Sequence, residues 1–452
     1  FTSAPSHRMS TPLQFDEAAL RTIVEDVMRT LGRSPVLSPA PAPGVSMASA
    51  PSAPAFRRSG PRFGVFDDVR EACAAAQEAF EQLKTKGLAG RAKVVEIVKQ
   101  LCTDKAAEWG KFEFEETKIG RLEHKIEKLQ IVKLVPGVEW IQPRGMSGDH
   151  GITMEEYTPF GVVGAVLPVT HSIPTLSGNV INIVAAGNAV VFNPHPGGAR
   201  SAALAVRTYN EAIHAALGIE NLVCTVEKPT LESFDALTKN EFIRLLCVTG
   251  GPAVVGAAMK SGKRAICAGP GNPPAVVDET ACPIRAARAI VNGASLDNNV
   301  VCTDEKSAIV VASAADRLKV EMLKLPVVEL TGSDIERLTD LVLHEKGGPG
   351  KHGAPNKKLV GKNPAHILRE LGKNVDDSVR LVLVDVDKDH PLVWTEQLMP
   401  VLPMCRVPDA DAAIQHAVAV EDDRRHTASI HSERLDRITK FSNAIGCSIC
   451  VV

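Results

Sequence analysis

The spacing of apolar residues changes along this chain, and each change marks a different kind of element. From Phe15 to Gly32, residues Leu20, Ile23, Val24, Val27, Met28 and Leu31 recur at helical intervals along one stripe. Asp16 can cap the start and Gly32 ends the pattern. Arg33 to Pro61 has no such period; it is rich in Pro, Ala and Ser, with Pro39-Ala-Pro-Ala-Pro43 at its centre, and reads as an extended tether. Phe63 to about Gln130 is helical again, with Val94, Val95, Ile97, Val98 and Leu101 on an amphipathic stretch. Val135 to Tyr157 is punctuated by Gly and Pro and suits a projecting hairpin of short polar strands.

After Pro159 the rhythm becomes strand–helix alternation. Gly161 to Leu167, Ala189 to Phe192, Leu222 to Thr225 and Ile243 to Val248 are short apolar runs, separated by helical stretches at Pro174–Ala186 and Ala199–Ala216. Short loops between such units predict an α/β fold with a doubly wound parallel sheet, whose ligands sit beyond the carboxyl ends of the strands. Thr249-Gly250-Gly251 lies at one of these ends and opens a helix; it is either a simple tight turn or a phosphate site. The Gly- and Pro-rich loop Ala268 to Pro274 leads through Ala275-Val-Val277 into a second α/β unit.

Composition narrows the field without naming a function. The 452 residues suffice for two or three domains, 44% are hydrophobic and 23% charged, and the formal net charge is −2. That balance leaves no electrostatic footprint for nucleic acid or an anionic membrane. No apolar run reaches the length of a membrane span, and the N-terminus does not read as a secretory signal. Ten cysteines are scattered mostly within apolar runs and form no disulfide framework, so a reducing compartment is expected. Cys447 and Cys450 form the one C-x-x-C pair, alternating in a short strand; with no second pair, no metal site is expected.

One segment carries candidate chemistry. Cys302 follows the polar turn Asp297-Asn298-Asn299 and the apolar step Val300-Val301. A thiol used as a nucleophile needs surroundings that lower its pKa, and nearby backbone N–H groups, the Asn amides and Lys306 can supply them, while Asp304 and Glu305 oppose. The plainer reading, a small buried hydrophobe, remains open for any single Cys.

The motifs then fall into a recognisable order. Pro159-Phe-Gly-Val-Val-Gly-Ala-Val-Leu-Pro-Val-Thr-His171, Ala186-Gly-Asn-Ala-Val-Val-Phe-Asn-Pro-His-Pro196, the Thr249 turn, the Gly269 loop, Asn298-Asn-Val-Val-Cys-Thr-Asp-Glu-Lys306 and Glu396-Gln-Leu-Met-Pro-Val-Leu402 together resemble the aldehyde dehydrogenase superfamily. Within it the chain looks like the CoA-acylating branch, most like the propionaldehyde dehydrogenases of bacterial microcompartments; Asn356-Lys-Lys-Leu-Val-Gly-Lys362 and the tethered helix strengthen the likeness.

That resemblance implies a domain plan: a targeting helix region at 1–32, a linker at 33–61, a nicotinamide-dinucleotide domain at 62–134 and 158–270, an oligomerisation hairpin at 135–157, and a catalytic domain at 271–435. Residues 436–452 would begin a C-terminal oligomerisation segment that relatives continue further. It implies Cys302 as nucleophile, with Thr170 where hydrolytic relatives place an oxyanion-binding Asn. His171 and His426 become candidates for helping to deprotonate a thiol. NAD, with NADP not excluded, is expected against Asn193, Pro194, Thr249, Gly250, Gly251, Val254, Gly269, Pro270, Gly271 and Glu396. Asn193 stands where many relatives have Lys and Pro196 where NAD-selective relatives have Glu, which leaves the choice between the two cofactors open. Plainer roles also stay open: a helix cap for Thr170, a surface carboxylate for Glu396, ordinary hydrogen bonding for either His.

The most informative departure is Ala268, where hydrolytic relatives carry a glutamate that activates water against the thioester. A methyl group cannot accept a proton, so hydrolysis loses its base, and such a base is typically worth 10²–10⁴-fold. Coenzyme A brings a far more acidic nucleophile. The expected activity is therefore oxidation of a short, propionaldehyde-like aldehyde with acyl transfer to coenzyme A, in the cytoplasm and within a bacterial microcompartment. The expected partners are a shell protein bound through residues 15–32 and further copies of the chain in a dimer or tetramer. A hydrolytic enzyme releasing free acid, a glutamyl-phosphate-reductase-like enzyme and a non-catalytic shell-binding scaffold are the alternatives.

Overall fold

Residues 62–351 and 353–452 are described by the structure, a computed structural model. The stripe at 15–32 and the tether at 33–61 lie outside the described residues.

Val162–Leu167 is a run of six buried residues without a polar side chain, and such a strand must be covered on both faces. It forms the middle of a six-stranded parallel sheet whose spatial order is Val65–Phe66, Val223–Val226, Ala189–Pro194, Val162–Leu167, Ile243–Thr249 and Arg264–Ala268. Helix Val69–Asp104 packs against the strands at 189–194 and 223–226, and bends where Gly87 adopts φ 58°. Its buried face carries Val94, Val95, Val98 and Cys102, with Ile97 and Leu101 partly buried. Each such aliphatic side chain contributes about 1.5–3 kcal/mol when fully buried. Helices Ser172–Ala185 and Ala199–Leu217 complete the cover.

The second sheet has seven parallel strands in the order Val327–Leu330, Leu381–Val386, Val401–Val407, Ser307–Val311, Pro274–Val277, Thr427–His431 and Ile449–Val451. Alternation within its strands divides two cores. Ala275, Val277, Ala308 and Val310 pack under helices Pro283–Ser295 and Ala312–Met322. Val276, Ile309 and Val311 face helix Ala410–Glu421 on the other side. Cys447 and Cys450 sit partly buried at the rim of this second core as free thiols.

The hairpin is shorter than its sequence pattern implied. Arg144–Gly148 pairs antiparallel with Gly151–Glu155, and every residue of both strands is exposed. Val135 and Val138, inside the segment assigned to the hairpin, instead pack partly buried on the first core, where Val135 follows the 3-10 turn Ile131–Leu134 and Val138 begins the turn Val138–Trp140. Trp140, Met146, Ile152 and Met154 remain exposed. Among the described residues no helix is long and apolar enough to cross a membrane, and no group of His, Cys, Asp and Glu could hold a metal ion.

Candidate active site

The nucleophile candidate owes its position to an unusual piece of backbone. Helix Pro283–Ser295 ends in a tight turn, Leu296–Asn299, in which Asp297, Asn298 and Asn299 all have positive φ (46°, 57° and 61°). Asp and Asn tolerate this left-handed region better than other side-chain-bearing residues, and surrounding contacts must hold three in succession. Arg121 N–H donates to Asp297 Oδ1 at 2.7 Å. Asn298 Nδ2 donates to the carbonyls of Gly120 and Gly361, and Asn299 Nδ2 to those of Ala294 and Glu305. The Asn amides therefore fasten the turn; they do not stabilise a thiolate, as their place in the sequence suggested.

Cys302 emerges from this turn into a cleft of 530 Å³. Its thiol is raised above the ordinary value, first by burial and then by the charge of Glu396, against which the buried Lys306 acts. The expected lowering is thus not built into this form of the site. Lys306 Nζ is spent on the carbonyls of Asn299 and Val301, at 3.0 and 2.8 Å, bracing the same turn. Asp304 is buried with Oδ2 lacking a hydrogen-bond partner, and burial pushes its carboxyl up to about 7.

The same cleft gathers residues from both sheets. Thr170 and His171 line it from the loop after Val162–Leu167, Asn193 and Pro194 from the end of Ala189–Pro194, and Thr249, Gly250, Gly251 and Val254 from the end of Ile243–Thr249. Gly269, Pro270, Cys302 and Glu396 complete the far wall. Gly271 lies behind it: its N–H donates to Glu396 Oε1 at 3.4 Å, and a Cβ there would meet the Cys302 carbonyl and the His426 ring, each at 3.0 Å. His426 therefore backs the nucleophile's turn through Gly271 and does not line the cleft. Its ring shares a hydrogen bond with Thr427 Oγ1 at 2.9 Å, and burial lowers its pKa. His171 Nδ1 lies 2.8 Å from Thr175 Oγ1, and burial with the charges of Lys128 and Lys125 holds it neutral. Ala268 ends strand Arg264–Ala268, exposed and one residue before the wall.

Sequence reasoning missed Pro229, Thr230, Leu231 and Phe234, which also line the cleft. The available signal was a capping box: Thr230 and Ser233 bond reciprocally at the start of helix Leu231–Lys239. Ser233 Oγ also donates to Asn193 Oδ1, which leaves the Asn193 amide nitrogen as the group free to donate.

These residues fit a dinucleotide. The cleft opens at the carboxyl ends of three adjacent parallel strands, where such sheets receive nucleotides. Helix Pro252–Lys260 starts there with no side-chain cap, and the glycines before it carry no Cβ to hinder a phosphate. Glu396, Asn193 and the apolar Phe234 wall offer polar and flat contacts for ribose and base.

Known proteins share this fold and sequence pattern. The family described as "Aldehyde dehydrogenase family" matches residues 64–342. The acetaldehyde dehydrogenase (acetylating) EutE of Salmonella typhimurium is 42% identical over 390 residues, 86% of this chain and 83% of that one. A Rhodopseudomonas palustris propionaldehyde dehydrogenase, solved with bound CoA and an acylated cysteine, superposes with TM-score 0.82 at 41% identity, covering 86% of this chain and 88% of that one. The propionaldehyde dehydrogenase from the Clostridium phytofermentans fucose utilisation bacterial microcompartment gives the same TM-score of 0.82 at 39% identity, with coverage of 86% and 88%. A match of that extent, on a fold that brings one thiol to a dinucleotide-shaped cleft, makes this chain a member of the aldehyde dehydrogenase family.

Proposed function

We propose that the chain oxidises a short aldehyde and passes the acyl group to coenzyme A through a thioester on Cys302. The observation that carries this reading is selective placement: of the ten cysteines, only Cys302 lines the cleft. The relatives' names, acetylating and propionaldehyde dehydrogenases, support the substrate class.

Cys302 as thiolate attacks the aldehyde carbon, forming a C–S bond and an oxyanion. The Cys302 N–H and the Thr170 hydroxyl are the donors assigned to that oxyanion. A nicotinamide dinucleotide, held by Asn193, Thr249 to Gly251 and Glu396, supplies the hydride acceptor when bound. Collapse of the oxyanion breaks the C–H bond, sends the hydrogen with its electron pair to that acceptor and leaves the acyl group on Cys302 as a thioester. The CoA thiol gives up its proton, attacks the thioester carbonyl and leaves as acyl-CoA, returning Cys302 to thiolate. His171, on the cleft wall, and His426, behind Gly271, are the two candidates for steering that proton, and each has its Nδ1 bonded to a neighbouring threonine hydroxyl. Ala268 gives a competing water no base.

The cleft wall carries no carboxylate other than Glu396, so the extra phosphate of NADP meets no opposing side chain there and both cofactors are accepted. The exposed Met146, Ile152 and Met154 of the hairpin invite pairing with a second copy of the chain, making a homo-oligomer. Residues 15–32, with their single apolar stripe, direct the enzyme to a microcompartment shell protein; the compartment origin of one relative supports this reading.

The deciding experiment is cofactor reduction with propionaldehyde, with and without CoA, with product identification. CoA-dependent formation of propionyl-CoA is expected. Free propionate released at a comparable rate without CoA would overturn the acylating assignment. Light scattering of the wild type and of a variant with charged residues at Met146 and Ile152 tests assembly, and a monomer in both cases removes the hairpin's role. Deleting residues 1–60 should leave kcat unchanged and abolish shell co-localisation; a truncated enzyme that still enters shells removes the targeting role.

A further inference from the structure

The Thr170 turn belongs to the first sheet and the Cys302 turn to the second, yet one side chain touches the supports of both. Lys125, on helix Leu122–Gln130, is 1% exposed, and its ammonium donates to the Thr170 carbonyl at 3.0 Å. The same nitrogen lies 3.2 Å from Glu113 Oε1 and 3.3 Å from Asp297 Oδ2. Glu113, equally buried, accepts from the N–H groups of Ser172 and Ile173, at 3.3 and 3.0 Å, and so pins the helix that follows Thr170. Asp297 opens the left-handed turn that delivers Cys302. Gly110 makes the meeting possible: helices Ala106–Thr117 and Leu122–Gln130 approach so closely that a Cβ on Gly110 would stand 2.9 Å from the Ile126 side chain.

We infer that Lys125 is a positioning residue, whose ammonium sets the spacing between the oxyanion-binding turn at Thr170 and the nucleophile's turn at Asp297. The inference rests on the Cys302 and Thr170 roles proposed above. Stability alone is a poor reason for such a cluster, since buried ion pairs are often matched or bettered by apolar side chains of similar volume. What an apolar side chain cannot do is bond a carbonyl from one sheet and a carboxylate from the other with a single atom. Lys128 supplies an internal control. Its ammonium also pairs with Asp297 in the buried interior, but it makes no hydrogen bond to Thr170 or Glu113.

The test compares Lys125→Met with Lys128→Met in the full chain. It measures thermal midpoint, kcat, KM for propionaldehyde, the Kd of NAD by calorimetry and the rate of Cys302 alkylation by iodoacetamide. Lys125→Met should lower kcat about 100-fold, the scale of an ångström-sized misplacement of reacting groups, with KM, Kd and alkylation within about threefold of wild type. Lys128→Met should lose thermal stability while keeping kcat within about threefold. Equal kcat losses in the two variants, or a kcat loss that merely follows the fraction unfolded, would overturn the assignment. If Lys125→Met fails to fold, Glu113→Gln must show the kcat loss instead, because it keeps one of the two acceptor oxygens for the helix amides and removes the ammonium's charged partner. Wild-type kcat in Glu113→Gln then overturns the inference. Absence of CoA-dependent turnover in the wild type would strike the proposed function itself, before any variant is compared.

Discussion

Glu396 and Cys302 line the same cleft, and the carboxylate's negative charge works against ionisation of the thiol. Because the thiol's pKa is raised, its thiolate fraction at pH 7.5 is small and grows with every step toward higher pH. Iodoacetamide should therefore alkylate Cys302 faster as pH climbs from 7 to 9, with no plateau in that window. Glu396→Gln removes the opposing charge, and at pH 7.5 it should speed alkylation by about threefold or more. A slower or unchanged rate would mean that burial alone sets the thiol.

Cys302→Ala should cost at least about 10³-fold in turnover while leaving the thermal midpoint close to wild type. The other nine cysteines lie away from the cleft wall and cannot replace it. Residual activity of a few per cent in a preparation free of wild-type enzyme would reassign the nucleophile.

Ala268→Glu restores a carboxylate one residue before the cleft wall. Release of free propionate in the absence of CoA should rise by about 10²-fold, the lower end of what a positioned base contributes. A variant that hydrolyses no faster than wild type would show that something other than the missing base suppresses attack by water.

Asp304 yields a prediction about stability. Its folded pKa, about 7, lies above the ordinary 3.8, so the folded state holds the proton more tightly than the unfolded chain does. The associated stabilisation is fully present below about pH 4 and is lost as pH rises through 7, where a buried charge is left with an unpartnered oxygen. Asp304→Asn should consequently raise the thermal midpoint at pH 8.5 by about 2 °C or more relative to its effect at pH 5. Identical effects at the two pH values would place the titration elsewhere.

How much of this could be read from the residues depended on distance along the chain. Val162–Leu167 and Ala189–Pro194 were legible because a buried parallel strand is a continuous apolar run; Cys302, Thr249 to Gly251 and Glu396 each had a plainer reading alone and stood out only through the ordered set of motifs, and the structure brings them to one cleft. The turn at Asp297 to Asn299 was found but misread: its amides looked available to the thiol, and they are consumed by the carbonyls of Gly120, Gly361, Ala294 and Glu305. Lys125 gave no local signal at all. A lysine on an amphipathic helix reads as solvated, and only the approach of Glu113, Thr170 and Asp297 from three other segments makes it interior. Val135 and Val138 fall in the hairpin segment because Gly and Pro punctuation marks a loop region without showing where its strands begin, and short 3-10 turns occupy its first part.

Gly120 is where these distant segments close on one another. With φ of +83°, it lies so near Asp297 that a Cβ would overlap the carboxylate, and its N–H donates to the Gly361 carbonyl at 3.0 Å. The stretches around residues 120 and 361 hold Asp297 and Asn298 from a distance, while Asn299 and Lys306 brace the turn from within its own segment. The setting of the thiol therefore depends on residues far outside the cleft, so a side chain added at Gly120 should disturb Cys302 without touching a ligand. Gly120→Ala should accordingly lower aldehyde turnover more than it lowers NAD affinity, because the residue meets the nucleophile's turn and not the cofactor wall.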